Sequence, residues 1–202
     1  MNFSRRLLDW YQIHKRELPW RTTIDPYTIW VSEIIMQQTR VDQGLSYFKR
    51  FMGRFPDVSA LSSASEEDVL KVWKGLGYYS RARNMHLTAR QVVDHMKGEF
   101  PSDYKTLKGL KGIGTYTAAA ISSICAGEPN PVVDGNVVRV ISRLYGIDDQ
   151  VGSTLSQKKV LEKAKLLIDP ENPGDFNQAM MEFGAIHCTP RNPACHECIF
   201  TQ

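Results

Sequence analysis

The sequence contains no apolar run approaching the roughly 18–20 residues that a membrane-spanning helix needs. Its opening segment also lacks the apolar stretch of a signal peptide, because Asp9 and Trp10 interrupt it. Met1 to Trp10 reads instead as the start of an amphipathic helix. These absences predict a soluble, intracellular, cytoplasmic protein. No stretch alternates apolar and polar residues with a period of two, so a sheet-based fold is excluded. There is no internal repeat. Cysteine is scarce, four in 202 residues, which argues against a disulfide scaffold. Charge of either sign is not in great excess: the formal net charge is +3.

What remains is a chain with 42% hydrophobic residues, enough for one large domain or two small intimate ones. Helical periodicity runs through it. Helices are predicted over Phe3–Tyr11, Tyr27–Thr39, Val41–Phe55, Val69–Trp73, Arg81–Met96, Asp103–Leu110, Thr115–Ala126, Gly135–Tyr145, Ser156–Ile168 and Asp175–Ile186. Ser65-Glu-Glu-Asp68 has the chemistry of a helix cap followed by an acidic first turn. Leu18 to Pro26 reads as a loop. The class is all-α.

Charge distribution says more than its sum. Lys71, Lys74, Arg81, Arg83 and Arg90 lie in a stretch with no Asp or Glu, and Lys105, Lys108 and Lys111 follow. Basic clusters beside aromatic residues fit a nucleic-acid surface; a solvated basic face is the plain alternative. Within Leu107-Lys-Gly-Leu-Lys-Gly-Ile-Gly-Thr-Tyr-Thr-Ala118, Gly112 and Gly114 fall in a turn and Thr115 opens a helix of small residues. Glycine permits a turn that aims backbone N–H groups outward. The helix adds its positive end. Together Lys111, Gly112, Gly114 and Thr115 form a candidate phosphate grip. Asp134 sits in a turn beyond that helix, either as a plain turn former or as a carboxylate beside the grip.

Five motifs carry a resemblance: Leu18-Pro-Trp-Arg21, Trp30-Val-Ser-Glu-Ile-Ile-Met-Gln-Gln-Thr39, Gly75-Leu-Gly-Tyr-Tyr-Ser-Arg-Ala-Arg-Asn84, Val133-Asp-Gly-Asn-Val137 and Phe176-Asn-Gln-Ala-Met-Met-Glu-Phe-Gly-Ala185. In this order they resemble the helix-hairpin-helix DNA glycosylases, specifically the adenine glycosylases of MutY type. The resemblance implies two helical domains flanking a DNA-binding cleft: a six-helix barrel over residues 27–131 with the hairpin, and a second domain from 1–26 and 132–202. It implies base excision repair of adenine opposite 8-oxoguanine or guanine in double-stranded DNA, by a nucleoid-associated monomer. A thymine mismatch glycosylase and an inert DNA-binding fragment are the alternatives.

The resemblance also assigns roles. Glu33 would be the general acid that protonates the departing purine at N7. Asp134 would stabilise an oxocarbenium-like sugar, by its charge or by a transient bond, with Asn136 in the same catalytic set. Related glycosylase-lyases carry a lysine where this chain has Tyr116. A phenol cannot form a Schiff base, so the activity expected is monofunctional, with Tyr116 lining the sugar pocket. The target base must leave the duplex, and Gln38 and Tyr78 would be the wedges. Leu18, Trp20, Arg21 and Gln178 would shape the adenine pocket, although Leu18 and Trp20 also suit plain packing.

Cys125 lies in an apolar helix and reads as a small hydrophobe. Cys188, Cys195 and Cys198 are spaced C-x6-C-x2-C, resembling the first three ligands of the family's 4Fe-4S cluster. The fourth ligand would fall beyond Gln202. The expectation is therefore a cluster that is incomplete or absent, another metal such as zinc, or an empty site. The expectation is also of a truncated catalytic core, without the family domain that inspects the opposite 8-oxoguanine.

Overall fold

The computed structural model describes residues 3–150 and 152–201. Among them there is no strand. The helices in chain order are α1 (Phe3–His14), α2 (Pro26–Met36), α3 (Val41–Arg54), α4 (Val58–Ser63), α5 (Glu66–Trp73), α6 (Ser80–Met96), α7 (Tyr104–Lys108), α8 (Thr115–Cys125), α9 (Gly135–Tyr145), α10 (Thr154–Leu167) and α11 (Pro173–Glu182). A π-helical turn, Phe183–His187, continues α11. No helix among the described residues is long and apolar enough to cross a membrane.

Short polar side chains start most of these helices. Asp25, Asp57, Ser65, Asp103, Asp134 and Ser153 each accept a backbone N–H from the first turn that follows. Such caps satisfy donors that would otherwise lack partners, and each contributes about 1 kcal/mol. At the far ends, α6 and α9 stop at left-handed residues, Lys97 and Gly146. The periodicity does not predict α4. It is six residues long, too short for an amphipathic pattern to register. Leu18–Pro26 is not wholly irregular: Pro19–Arg21 forms a 3-10 turn closed by Arg21 N–H on the Leu18 carbonyl at 2.9 Å. Helix α2 ends at Met36 rather than Thr39.

The chain divides into two compact units, Met1–Arg16 with Ser122–Gln202, and Glu17–Ile121. The expected boundaries were 26/27 and 131/132. Residues 17–26 therefore go with the middle unit and 122–131 with the terminal one. The second division falls inside α8.

In the terminal unit, α1, α9, α10 and α11 bury Leu7, Trp10, Val140, Val160, Phe176 and Phe183. Trp10 meets the edge of Phe183 at 4.9 Å, and Phe3 stacks on Phe200 at 4.3 Å. In the middle unit, Trp30, Phe51, Phe55, Leu61, Trp73 and Met85 are buried. Tyr27 donates its hydroxyl to the Phe55 carbonyl at 2.9 Å. That bond lets a phenol sit inside at little cost.

One charge lies in the terminal unit's interior. Glu182 is 0% exposed. Its carboxylate accepts the Arg16 backbone N–H and a two-pronged bond from the Arg16 guanidinium, at 2.7–2.9 Å. Removing one partner of a buried ion pair is costlier than never having had the pair. We expect Arg16→Ala to destabilise the protein by about 3 kcal/mol, read as a lower urea midpoint. A midpoint unchanged from the wild type would show that the pair contributes nothing net.

Candidate active site

The hairpin lies in the middle unit. Its turn is tied by Gly109 N–H on the Thr106 carbonyl and Leu110 N–H on Leu107, both near 3.0 Å. Leu110 and Ile113 are buried and anchor it. Thr88 donates its hydroxyl to the Lys111 carbonyl from α6. Gly112 is left-handed at φ 76°. A Cβ there would come within 2.8 Å of the Asn84 Cβ, so two constraints demand glycine. Gly114 is different: it is not among the positive-φ residues, and a Cβ there would meet open space. Only one of the two glycines is thus required by backbone conformation. Thr115 opens α8, whose first-turn N–H groups face outward from the helix start. Lys108 and Lys111 are exposed beside it, and Lys108 Nζ donates to the Thr115 hydroxyl at 3.0 Å. Lysines and a helix start together form a surface for anions.

The expected basic run of residues 71–90 does not act as one surface. Lys71 pairs with Glu67 and Arg83 with Glu66, each at 3.0 Å. These are exposed pairs and contribute little stability. Arg81 turns inward to backbone carbonyls. Lys74 and Arg90 remain exposed.

Glu33 is half-buried on α2, among buried Ser32, Ile34 and Ile35. Beyond the helix end, Gln38 takes φ 57° and Tyr78, in the loop before α6, takes φ 46°. Such left-handed geometry in a non-glycine residue costs about 1–3 kcal/mol. Both residues line one open depression of about 210 Å³, with Gln37, Ser80 and Arg81. Tyr78 is 66% exposed and Tyr79 is 40% exposed, which suits contact with a partner better than core packing. Tyr116 is half-buried in the first turn of α8. No lysine stands in that turn.

Leu18 is buried, and Trp20 sets its ring against the edge of Phe48 at 5.1 Å. Both thus have a packing role. Arg21 is half-buried. Gln178 belongs to the terminal unit, where its amide oxygen accepts the Tyr11 hydroxyl at 3.2 Å.

Asp134 is half-buried in the terminal unit and caps α9. One carboxylate oxygen accepts the Val137 N–H at 2.8 Å, and the other accepts the Asn136 side-chain amide at 2.8 Å. The Asn136 amide oxygen in turn accepts from Arg139 at 2.8 Å. Arg139 also donates to the carbonyls of Gly184 at 2.6 Å and Cys188 at 2.9 Å. One helical turn later, Arg143 donates to the carbonyls of Thr189 at 2.7 Å and Pro190 at 3.1 Å. A continuous polar chain thus runs from the Asp134 carboxylate to the start of the cysteine loop. Sequence reasoning did not find Arg139 or Arg143. Their four-residue spacing on α9 is a signal that they share a face, but not of what that face meets. Beside Asp134 lies an open groove of about 430 Å³, lined also by Val133, Val138, Gln157 and Leu161.

Cys188 and Cys198 are half-buried against the α9–α11 core and Cys195 is exposed. Cys125 is half-buried near the end of α8 rather than tightly enclosed. Among the described residues, no three His, Cys, Asp or Glu side chains gather to hold a metal ion. The described residues do not by themselves assemble a cluster site.

The chain from Asp134 depends on a close approach. A Cβ on Gly184 would stand 2.7 Å from the Asn136 Cβ and 3.0 Å from its carbonyl. We expect Gly184→Ala to displace the α9 start and cost about 1–3 kcal/mol through overpacking, measured by thermal unfolding. Retention of the wild-type melting temperature would mean that the π-helical turn yields easily.

Residues 31–169 match the HhH-GPD superfamily of base excision DNA repair proteins, and residues 188–202 match the iron-sulfur binding domain of endonuclease III. The chain is 45% identical to the adenine DNA glycosylase of Rattus norvegicus over 205 residues, covering 97% of this chain and 40% of that protein. It is 39% identical to an adenine DNA glycosylase of Buchnera aphidicola, covering 99% of this chain and 58% of that one. It thus spans about two fifths to three fifths of the length of these relatives. A thermostable thymine-DNA glycosylase superposes with a TM-score of 0.87 at 30% identity, over 97% of this chain and 90% of that one. Endonuclease III in a non-covalent DNA complex superposes with a TM-score of 0.78 at 25% identity, over 96% of this chain and 88% of that one. With the helical fold, the hairpin and a family match over most of its length, the chain belongs to the HhH-GPD superfamily of base excision DNA repair proteins.

Proposed function

We propose that this chain is the catalytic core of a monofunctional adenine DNA glycosylase, acting as an intracellular monomer on double-stranded DNA with adenine opposite 8-oxoguanine or guanine. The observation that carries the proposal is the residue set of the family's active site: Glu33 on α2, Tyr116 in place of an amine, and Asp134 with Asn136. The 45% identity to the rat adenine DNA glycosylase favours adenine. The 30% identity to a thymine-DNA glycosylase keeps thymine opposite guanine as the second candidate.

Lys108, Lys111 and the N–H groups at the start of α8 hold the DNA backbone through phosphate. Gln38 and Tyr78 fill the gap as the adenine leaves the stack. Leu18, Trp20 and Arg21 take the adenine-pocket roles that the family resemblance gives them, and an amide such as that of Gln178 suits the adenine edge. Glu33 gives its proton to N7 of the adenine. The bond between N9 and the sugar C1′ then breaks, with its electron pair going to the base. The sugar becomes oxocarbenium-like, and the Asp134 carboxylate stabilises its charge. Asn136 holds that carboxylate in place. A water molecule adds to C1′, and its proton returns to the Glu33 carboxylate. The products are free adenine and an abasic site. Chain cleavage does not follow, because Tyr116 supplies no amine to attack the sugar.

The decisive variants keep shape and change chemistry. Glu33→Gln preserves the helix and removes the acid, so adenine release should slow by about 100- to 10,000-fold with duplex binding retained. Asp134→Asn can still cap α9 but carries no charge, and release should fall by about 100-fold or more. Single-turnover release near the wild-type rate in either variant would remove that residue from its role.

The absent amine makes a separate expectation. Borohydride should trap little covalent adduct between the wild-type protein and DNA, whereas Tyr116→Lys should raise both trapping and strand cleavage. Efficient trapping by the wild type would show that another nucleophile attacks the sugar.

A further inference from the structure

Gln38 and Tyr78 both hold left-handed backbones without being glycine, and something must hold them there. Each directly follows a residue whose carbonyl is held by Arg81. The guanidinium Nη1 donates to Gln37 at 2.7 Å and to Ile34 at 2.8 Å. Its Nη2 reaches the carbonyls of Leu76 and Gly77, each at 3.4 Å. The Gly77 carbonyl also accepts Trp73 Nε1 at 3.0 Å. The carbonyl of residue 37 and the N–H of residue 38 share one rigid peptide plane. On the far side the Thr39 N–H is held on the Met36 carbonyl at 3.2 Å and the Tyr78 carbonyl accepts the Arg81 N–H at 3.0 Å, so with the Gln37 and Gly77 carbonyls also fixed, the planes on both sides of Gln38 and of Tyr78 are held and their φ is restricted.

Helix α2 explains why a cation is used. It ends without a left-handed C-cap, with Gln37 at φ −56° and ψ 115°. Its last carbonyls would lack intrahelical partners and form the negative end of the helix dipole. Arg81 serves as a cap from a different helix. The guanidinium also lies over the rings of Trp73 at 5.1 Å and Tyr78 at 5.7 Å. Its hydrogen bonds among the described residues all run to carbonyls, so it is not committed to a carboxylate. A lysine is a compact point charge and lacks the planar fork needed to span both loops.

We propose that Arg81 is the positioning residue for base extrusion: one guanidinium fixes the peptide planes before Gln38 and Tyr78 and so presents both side chains, in register, to the gap left by the departing base. This rests on the glycosylase function proposed above. Arg81 acts through the two loops and need not touch the DNA.

The test uses a duplex with the fluorescent adenine analogue 2-aminopurine opposite 8-oxoguanine, alongside an adenine duplex for release and an undamaged duplex for affinity. The wild type should raise 2-aminopurine emission on binding and release adenine. Arg81→Ala should lose most of the emission rise and about 100-fold in release rate, since a misplacement near 1 Å carries that penalty. Its affinity for undamaged duplex should be little changed, because the exposed ammonium groups of Lys108 and Lys111 take the phosphates while the Arg81 guanidinium is spent on backbone carbonyls. Arg81→Lys should keep the charge and recover only a small part of the loss, and it carries the test alone if the alanine variant does not fold. Normal emission and release in Arg81→Ala, full recovery with Arg81→Lys, or a parallel loss of undamaged-duplex affinity would each overturn the proposal. A wild type that neither raises emission nor releases adenine would overturn the glycosylase function first and this proposal with it.

Discussion

The two oxygens of Asp134 accept hydrogen bonds from the Val137 N–H and the Asn136 side chain, and the polar side of the terminal unit is organised around that pair. The first bond starts α9. The second begins the chain through Arg139 to the carbonyls of Gly184 and Cys188. One carboxylate is therefore both a helix cap and, on the proposed function, the anion that meets a sugar cation. The cap fixes its orientation before any substrate arrives, which is what electrostatic stabilisation without reorganisation requires. The same dependence explains why a glycine far along the chain, Gly184, must come so close to Asn136.

The middle unit solves a different problem by similar means. Its candidate functional surface is loop and helix end, where backbone carbonyls and N–H groups lack partners within their own element. At the hairpin the start of α8 is flanked by exposed lysines. At the end of α2 the carbonyls are bound by Arg81. The strained geometry at Gln38 and Tyr78 thus sits where side-chain hydrogen bonds to backbone carbonyls, distant in sequence for Gln37 and local for Gly77, hold the backbone. Strain held this way marks a place where shape has been favoured over local stability.

Much of the fold was legible because it is written locally. Asp and Ser caps, apolar residues at helical spacing and the glycine turn of the hairpin are short-range signals. Helix α4 escaped because six residues show no period. The exchange of 17–26 and 122–131 between units could not be read, since packing of a connecting segment depends on distant partners. The site divides the same way. The assignments of Glu33, Asp134 and Tyr116 rest on the motifs around them. The inward turn of Arg81 was not legible, and a basic run suggested solvent or nucleic acid for it instead. Arg139 and Arg143 were passed over because their partners lie more than forty residues later in the sequence. Positive φ at Gln38 and Tyr78 had no glycine to announce it.

The central claim of the proposed function is that this fold, with this residue set, removes adenine in preference to other bases. It is tested most directly by single-turnover base release from three duplexes, carrying adenine opposite 8-oxoguanine, thymine opposite guanine, and an oxidised pyrimidine opposite guanine. The account predicts release of adenine alone, with the strand intact until the abasic site is cleaved by alkali. Release of thymine or of the oxidised pyrimidine in preference to adenine, or of no base from any of the three, would contradict it.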